Sequence, residues 1–138
     1  MDEQQCLEQL QDAILELREE NKTVPIIVEG EKDSTALQKL EITGEIISFN
    51  KGRSVSDFCD IIALRHQKII LLTDWDWRGG RLCQQIKKNL ENRVSINLKY
   101  REIFAKRCPC RTVEGLPTWL ETLRKKVEGN KHNILSLI

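Results

Sequence analysis

Apolar residues recur along this chain at two different periods, and the alternation between the two predicts its architecture. Leu7, Leu10, Ile14 and Leu17 are three and four residues apart, which gathers them on one stripe of an amphipathic helix ending near Asn21. Three short runs then follow that are apolar on both faces: Val24 to Val28, Glu45 to Phe49, and Lys68 to Thr73 with its core Ile69-Ile70-Leu71-Leu72. Such runs suit buried parallel strands. Between them lie helix signals, the clearest being Ser54-Val55-Ser56-Asp57, a capping-box-like start that leads into Phe58, Ile61, Ile62 and Leu64.

The third run passes through Gly79-Gly80 into a helix with the stripe Leu82, Ile86 and Leu90, which leaves Arg81, Lys87 and Lys88 on its wet side. Val94, Ile96 and Leu98 alternate with polar residues as a fourth, half-buried strand. Pro117 stands just inside a last helix carrying Trp119, Leu120, Leu123 and Val127. Strands alternating with helices define an α/β class, with about four mainly parallel strands flanked by helices. The expected layout is an N-terminal amphipathic helix over residues 1–22, one α/β domain over 23–128, and a tail over 129–138.

At 138 residues, 40% hydrophobic and 31% charged, the chain has the size and balance of one domain that folds without disulfides. Its five cysteines are an odd set spread over periodic segments, with no apolar targeting stretch and no long uncharged span; a reducing cytoplasm and no membrane are expected. Cys108-Pro109-Cys110 is the close pair, yet a zinc site needs four ligands and the histidines are only His66 and His132.

The net charge of +1 conceals an uneven distribution. From Met1 to Glu20 seven acids face only Arg18, whereas from Arg78 to Arg107 nine bases face only Glu91 and Glu102. The first segment repels phosphates and the later one attracts them.

Ligands of parallel sheets bind beyond the carboxyl ends of the strands, and here those ends are acidic. The first run closes with Val28-Glu29-Gly30-Glu31-Lys32-Asp33 and the third with Thr73-Asp74-Trp75-Asp76-Trp77-Arg78-Gly79-Gly80. Residues two apart on an extended chain point the same way, so Asp74 and Asp76 face one point. Two carboxylates about 4 Å apart repel by roughly 4 kcal/mol at an effective dielectric near 20, which a shared proton or a cation must offset. An oxygen-only set suits a hard ion, Mg²⁺ above all. Asp33 has a simpler role as a helix cap. Trp75 and Trp77 either stack on bases or cover the sheet end. Arg78 and Arg81 sit at a helix start suited to phosphate, Glu114-Gly115 reads as a turn, and Cys59 and Cys83 as core.

Glu-Gly after one strand, followed by Asp-x-Asp-x-x-Gly after a later one, resembles the Toprim family, the catalytic domain shared by topoisomerases, primases, OLD-type nucleases and the ribonuclease that matures 5S ribosomal RNA. The resemblance runs from Pro25 to Leu98, and Asn50-Lys51-Gly52 is similar to the glycine-containing loop of the ribonuclease-like members. It implies a compact Toprim (Rossmann-like) fold and catalytic residues Glu29, Asp74 and Asp76. Glu29 would move a proton, and the acids would hold Mg²⁺ with Mn²⁺ as a substitute. Lys51, Arg53, Arg78, Arg81, Lys87 and Lys88 are the nucleic-acid contacts expected around that site. Two positions depart from the family pattern: Trp75 replaces a common proline, and Gly80 replaces a common glutamate, which thins the metal shell.

A topoisomerase needs a nucleophilic tyrosine on a gating domain, and a processive primase needs template-handling modules; Tyr100 is the lone tyrosine here. The expected function is a small nuclease or RNA-processing enzyme, with RNA favoured over DNA. The alternatives are a non-catalytic nucleic-acid or ribonucleoprotein-binding module, and an adaptor working through the acidic first helix. That helix also offers a surface for a homodimer.

Overall fold

The computed structural model describes residues 1–50 and 52–136, with side chains through His132. Helix α1 (Glu3–Asn21) starts at a capping box: Asp2 accepts from the Gln5 backbone N–H at 2.8 Å, and the Gln5 side chain accepts from the Asp2 N–H. Then follow β1 (Ile26–Val28), α2 (Glu31–Lys39), β2 (Ile46–Ser48), α3 (Val55–Arg65), β3 (Lys68–Leu71), α4 (Trp77–Leu90), β4 (Ser95–Asn97), α5 (Lys99–Arg107) and α6 (Leu116–Ser136). The expected α/β class with four parallel strands holds. The sheet order is β2-β1-β3-β4 and every pairing is parallel, with Ile26 beside Ile46 and Ile70, and Ile69 beside Ile96.

Two-sided burial is confined to the central strands. Ile26, Ile27 and Val28 are fully buried, as are Ile70 and Leu71, whereas all of β2 is half-buried because it has a neighbour on one side only. Alternation along the strands divides the core in two. Ile26, Val28, Ile70 and Leu72 pack with α1, α2, α5 and α6; Ile27, Ile69 and Leu71 pack with Phe58, Cys59 and Ile62 of α3 and Cys83, Ile86 and Leu90 of α4. The α3 stripe is narrower than its sequence suggests, since Ile61 and Leu64 face solvent.

The apolar stripe of α1 is spent inside the chain: Leu7, Leu10, Ala13, Ile14 and Leu17 are buried in the core. Its acids are largely committed as well. Glu20 accepts from Tyr100 Oη at 2.7 Å and from Asn97 Nδ2 at 2.9 Å, and Glu16 pairs with Lys99. Helix α5 has no apolar periodicity strong enough to read from sequence, because it buries only Tyr100 and Phe104.

Asn21 ends α1 by tying it to the sheet. Its buried Nδ2 donates to Val24 O at 3.0 Å and to Glu45 O at 2.9 Å, one carbonyl leading into each of β1 and β2. Asn21→Ala removes the partner of Val24 O and leaves Glu45 O with the Ile26 N–H alone, so a loss of about 1–3 kcal/mol is expected, seen as a lower urea midpoint at unchanged slope.

Candidate metal and nucleic-acid site

Because β1→β2 and β2→β3 run in opposite directions across the sheet, the chain reverses at β1 and β3, and the crevice at a parallel sheet's carboxyl end opens there. Glu29 is the first residue beyond β1, held in line by the ladder bonds from Phe49 N to Val28 O and from Asn50 N to Glu29 O. Its Oε2 accepts from the Asp74 N–H at 2.9 Å, which bridges the two strand ends.

The loop after β3 is fixed from several sides. Arg101 of α5 donates from Nε to Thr73 O and Oγ1 at 3.1 Å and from Nη2 to Asp74 O at 2.8 Å. Asp74 Oδ1 accepts from the Val113 N–H at 2.8 Å, from the segment between α5 and α6. Asp76 is the N-cap of α4, with Oδ1 accepting from the Gly79 N–H at 2.7 Å. The glycine of Asp-x-Asp-x-x-Gly is required by close approach: a Cβ on Gly79 would lie 1.9 Å from Asp74 O.

Asp74 and Asp76 therefore do not point together from one extended strand as the two-residue spacing predicts. The chain has already bent toward α4 at Trp75, and each carboxylate is drawn to a different backbone N–H. Among the described residues no three His, Cys, Asp or Glu side chains form a ready-made ion cage. Glu29 lies against Asp74, through the Asp74 N–H. Burial, together with the hydrogen bond and charge of Glu29 and the charge of Asp76, pushes Asp74 up to about 7 against the opposing Val113 bond. Asp33 does cap α2 through the Gly30 N–H at 3.1 Å, yet burial and the Asp74 charge, with a further push from Glu114, raise it to about 6.

The two tryptophans have separate fates. Trp75 is half-buried, donates from Nε1 to Cys110 O at 2.6 Å and from its backbone to Arg111 O at 3.0 Å, and lies 5.8 Å from the Phe104 ring: it covers the sheet end. Trp77 stays 74% exposed.

The basic stretch is not one face. Arg101 turns inward to the β3 loop, while Lys99, Arg107 and Arg93 are engaged at the surface by Glu16, Gln9 and Asp60. Arg78 and Arg81 are exposed on the first turns of α4 beside the acids. Lys87 and Lys88 are exposed too, but roughly 15 Å down the helix at 1.5 Å per residue. Arg53 is exposed in the loop after β2, its guanidinium 5.8 Å from the Phe58 ring. Lys51 lies outside the described residues. Sequence reading missed Arg101 and Val113 as holders of Asp74; Arg101 was visible only as one more base in the run, and a backbone N–H has no sequence signal.

The Toprim domain family matches residues 24–106, more than half of the chain. A UPF0292 protein of Thermoplasma volcanium is 40% identical over 105 residues, covering 75% of this chain and 88% of that protein. A second, from Methanocaldococcus jannaschii, is 37% identical over 99 residues, covering 70% and 77%. A solved protein structure from Aquifex aeolicus superposes with a TM-score of 0.66 at 28% identity, over 75% of this chain and 94% of that one. The chain belongs to the Toprim family. That membership carries a metal-dependent, nucleic-acid-related role, the usual metal being Mg²⁺. No described helix is long and apolar enough to cross a membrane.

The donor set suits such an ion. It is all carboxylate oxygen, Asp74 and Asp76 each spend one oxygen on a backbone N–H, and burial beside Glu29 and Asp76 already raises the proton affinity of Asp74. Asp33 and Asp74 bind protons more tightly folded than unfolded, so their contribution to stability is greatest below about pH 4 and is lost as pH rises to about 7. Asp74→Asn removes the larger share, and relative to the parent it should gain stability steadily over that window. Mg²⁺ should raise the parent's melting temperature more above about pH 7 than near pH 5, and should leave the Asp74→Asn, Asp76→Asn double variant unmoved. Melting scans across pH with and without Mg²⁺ check both. Parallel pH curves would refute the crowding, and equal metal shifts would refute the site.

Proposed function

We propose that this chain is a Mg²⁺-dependent nuclease or RNA-processing enzyme of the cytoplasm, acting on RNA in preference to DNA, with Mn²⁺ an effective substitute. The observation that carries this reading is the Glu29–Asp74 contact at the carboxyl ends of the two central strands, with Asp76 one turn away at the head of a basic helix. In this reading Glu29, Asp74 and Asp76 hold the ion, which supplies charge neutralisation at the scissile phosphate. Glu29 moves the proton to or from the reacting oxygen, from a position at the end of β1 that its bond to the Asp74 N–H holds beside Asp74. Arg78 and Arg81 draw the phosphates onto the strand ends, and Arg101 keeps Asp74 in register without touching substrate.

A second reading, a non-catalytic binding module, has one observation in its favour. Gly80 contributes no carboxylate, and the nearest group to where its Cβ would stand is the Arg101 guanidinium, with Nη2 at 3.9 Å. A cation there does nothing to hold a second one.

Glu29→Gln separates the two readings, since the amide oxygen still accepts from the Asp74 N–H while the base is gone. The enzyme reading expects binding within a few-fold of the parent and cleavage slower by about two to four orders of magnitude, measured on labelled structured RNA, single-stranded RNA and DNA with Mg²⁺, Mn²⁺ or EDTA. A parent that binds but cleaves none of these supports the module instead; a variant that cleaves at the parent's rate removes Glu29 from the reaction.

A strand lying along α4 reaches Lys87 and Lys88 within a few nucleotides of the acids. Replacing both with glutamine should reduce the salt slope of log affinity by up to about two, whereas an unchanged slope places the strand elsewhere.

A further inference from the structure

Trp77 combines features that no role in folding accounts for. It is the first residue of α4, next to Asp76, and keeps 74% of its surface in water while Trp75, two residues earlier, is tied into the structure by two hydrogen bonds. Nothing in either core cluster uses it. Arg81, one turn on, holds its guanidinium 4.9 Å from the ring centroid, a cation–π distance that favours one orientation of the exposed indole. Together with Gly80, Gln84 and Gln85 the pair frames an open, largely apolar cleft of about 450 Å³ on the outer side of the helix. Gly80 adds no side chain to it, and the two glutamines offer amide donors and acceptors at its far wall.

The charge around this cleft selects its occupant. Arg78 and Arg81 are exposed, and α4 carries no acid between Asp76 and its end. An apolar protein partner would gain nothing from those cations, whereas a polyanion whose units each bear a flat aromatic face satisfies both features at once. We propose that Trp77, oriented by Arg81, is a stacking platform for one unpaired nucleobase of a strand whose neighbouring phosphate lies at the acidic loop. A paired base has both faces covered by its own stack and is not available to the indole, so the platform selects single-stranded or flipped-out segments over continuous duplex. This rests on the nucleic-acid reading above and adds to it a preference for unpaired substrate.

The test compares three probes on the full chain: a uridine homopolymer, a perfectly paired RNA duplex, and inorganic polyphosphate, which has the charge without the bases. Trp77→Ala should weaken the homopolymer by roughly 5- to 150-fold, the range that one base–aromatic stack spans, and leave duplex and polyphosphate within about twofold. Trp77→Phe should recover most of the loss. Homopolymer should also quench the parent's tryptophan emission, and that quenching should vanish in Trp77→Ala, since the half-buried Trp75 and Trp119 remain. Both variants change only a surface residue, and an unchanged melting temperature confirms that they fold. Homopolymer binding unchanged in Trp77→Ala, or an equal loss on all three probes, overturns the platform while leaving nucleic-acid binding intact. A parent that binds no homopolymer and no duplex overturns the nucleic-acid reading and the platform with it.

Discussion

Like-charge repulsion at the carboxyl ends of β1 and β3 is the constraint around which the rest of this molecule is arranged. Adjacent parallel strands deliver Glu29 and Asp74 to the same place, and among the described residues no salt bridge reaches either carboxylate. Backbone dipoles and one guanidinium hold the loop instead: Val113 N–H on Asp74, Gly79 N–H on Asp76, Asp74 N–H on Glu29, and Arg101 on the carbonyls of Thr73 and Asp74. Each orients a carboxylate or its backbone without filling the oxygens that face the crevice, which keeps the site short of positive charge. A protein that stores such a deficit binds a cation at the cost of its own stability when metal-free.

The same constraint explains why α5 and the segment after it belong to the functional unit. Removing Arg101 would release the backbone on which Asp74 sits, and removing the 108–115 segment would take away the Val113 N–H and the carbonyls of Cys110 and Arg111 that anchor Trp75. Helix α1 in turn holds α5 and the end of β4, through Glu20 on Tyr100 and Asn97 and Glu16 on Lys99. The acidic first helix therefore does more than repel phosphate: Glu16 and Glu20 are tied to the start of α5.

What was legible in the sequence follows from which physical signals are local. Strand runs that are apolar on both faces, the Ser54 cap, and the stripes of α1 and α4 all repeat within a dozen residues, so the α/β class and its parallel sheet could be read directly. Glu29, Asp74 and Asp76 stood out because charge at a strand end is unusual and because their order resembles a known pattern. The turn at Trp75 was not legible. Residues two apart face one way only while the chain stays extended, and here Gly79 packs on Asp74 O and starts the helix at once, so Asp76 becomes a cap. Helix α5 was missed because its few buried residues give no period, and the basic run looked continuous because sequence does not tell an arginine facing Asp74 O from one facing water.

That last distinction decides how the molecule divides two opposed tasks. Cation binding needs a region of unbalanced negative charge, and phosphate binding needs the reverse, yet under the proposed function both would act on the same bond. The chain separates them by orientation rather than by distance. Acids occupy the strand ends and the cap of α4, Arg101 turns inward to the loop backbone, and outward bases begin with Arg78, two residues past Asp76. Asp76 stands at the boundary: by capping α4 it cancels the positive end of the helix, which would otherwise attract phosphate without help from a metal. A phosphate approaching this helix start meets a carboxylate in place of bare N–H groups, so under the proposed function a divalent ion held by the acids would supply the charge that makes the encounter attractive.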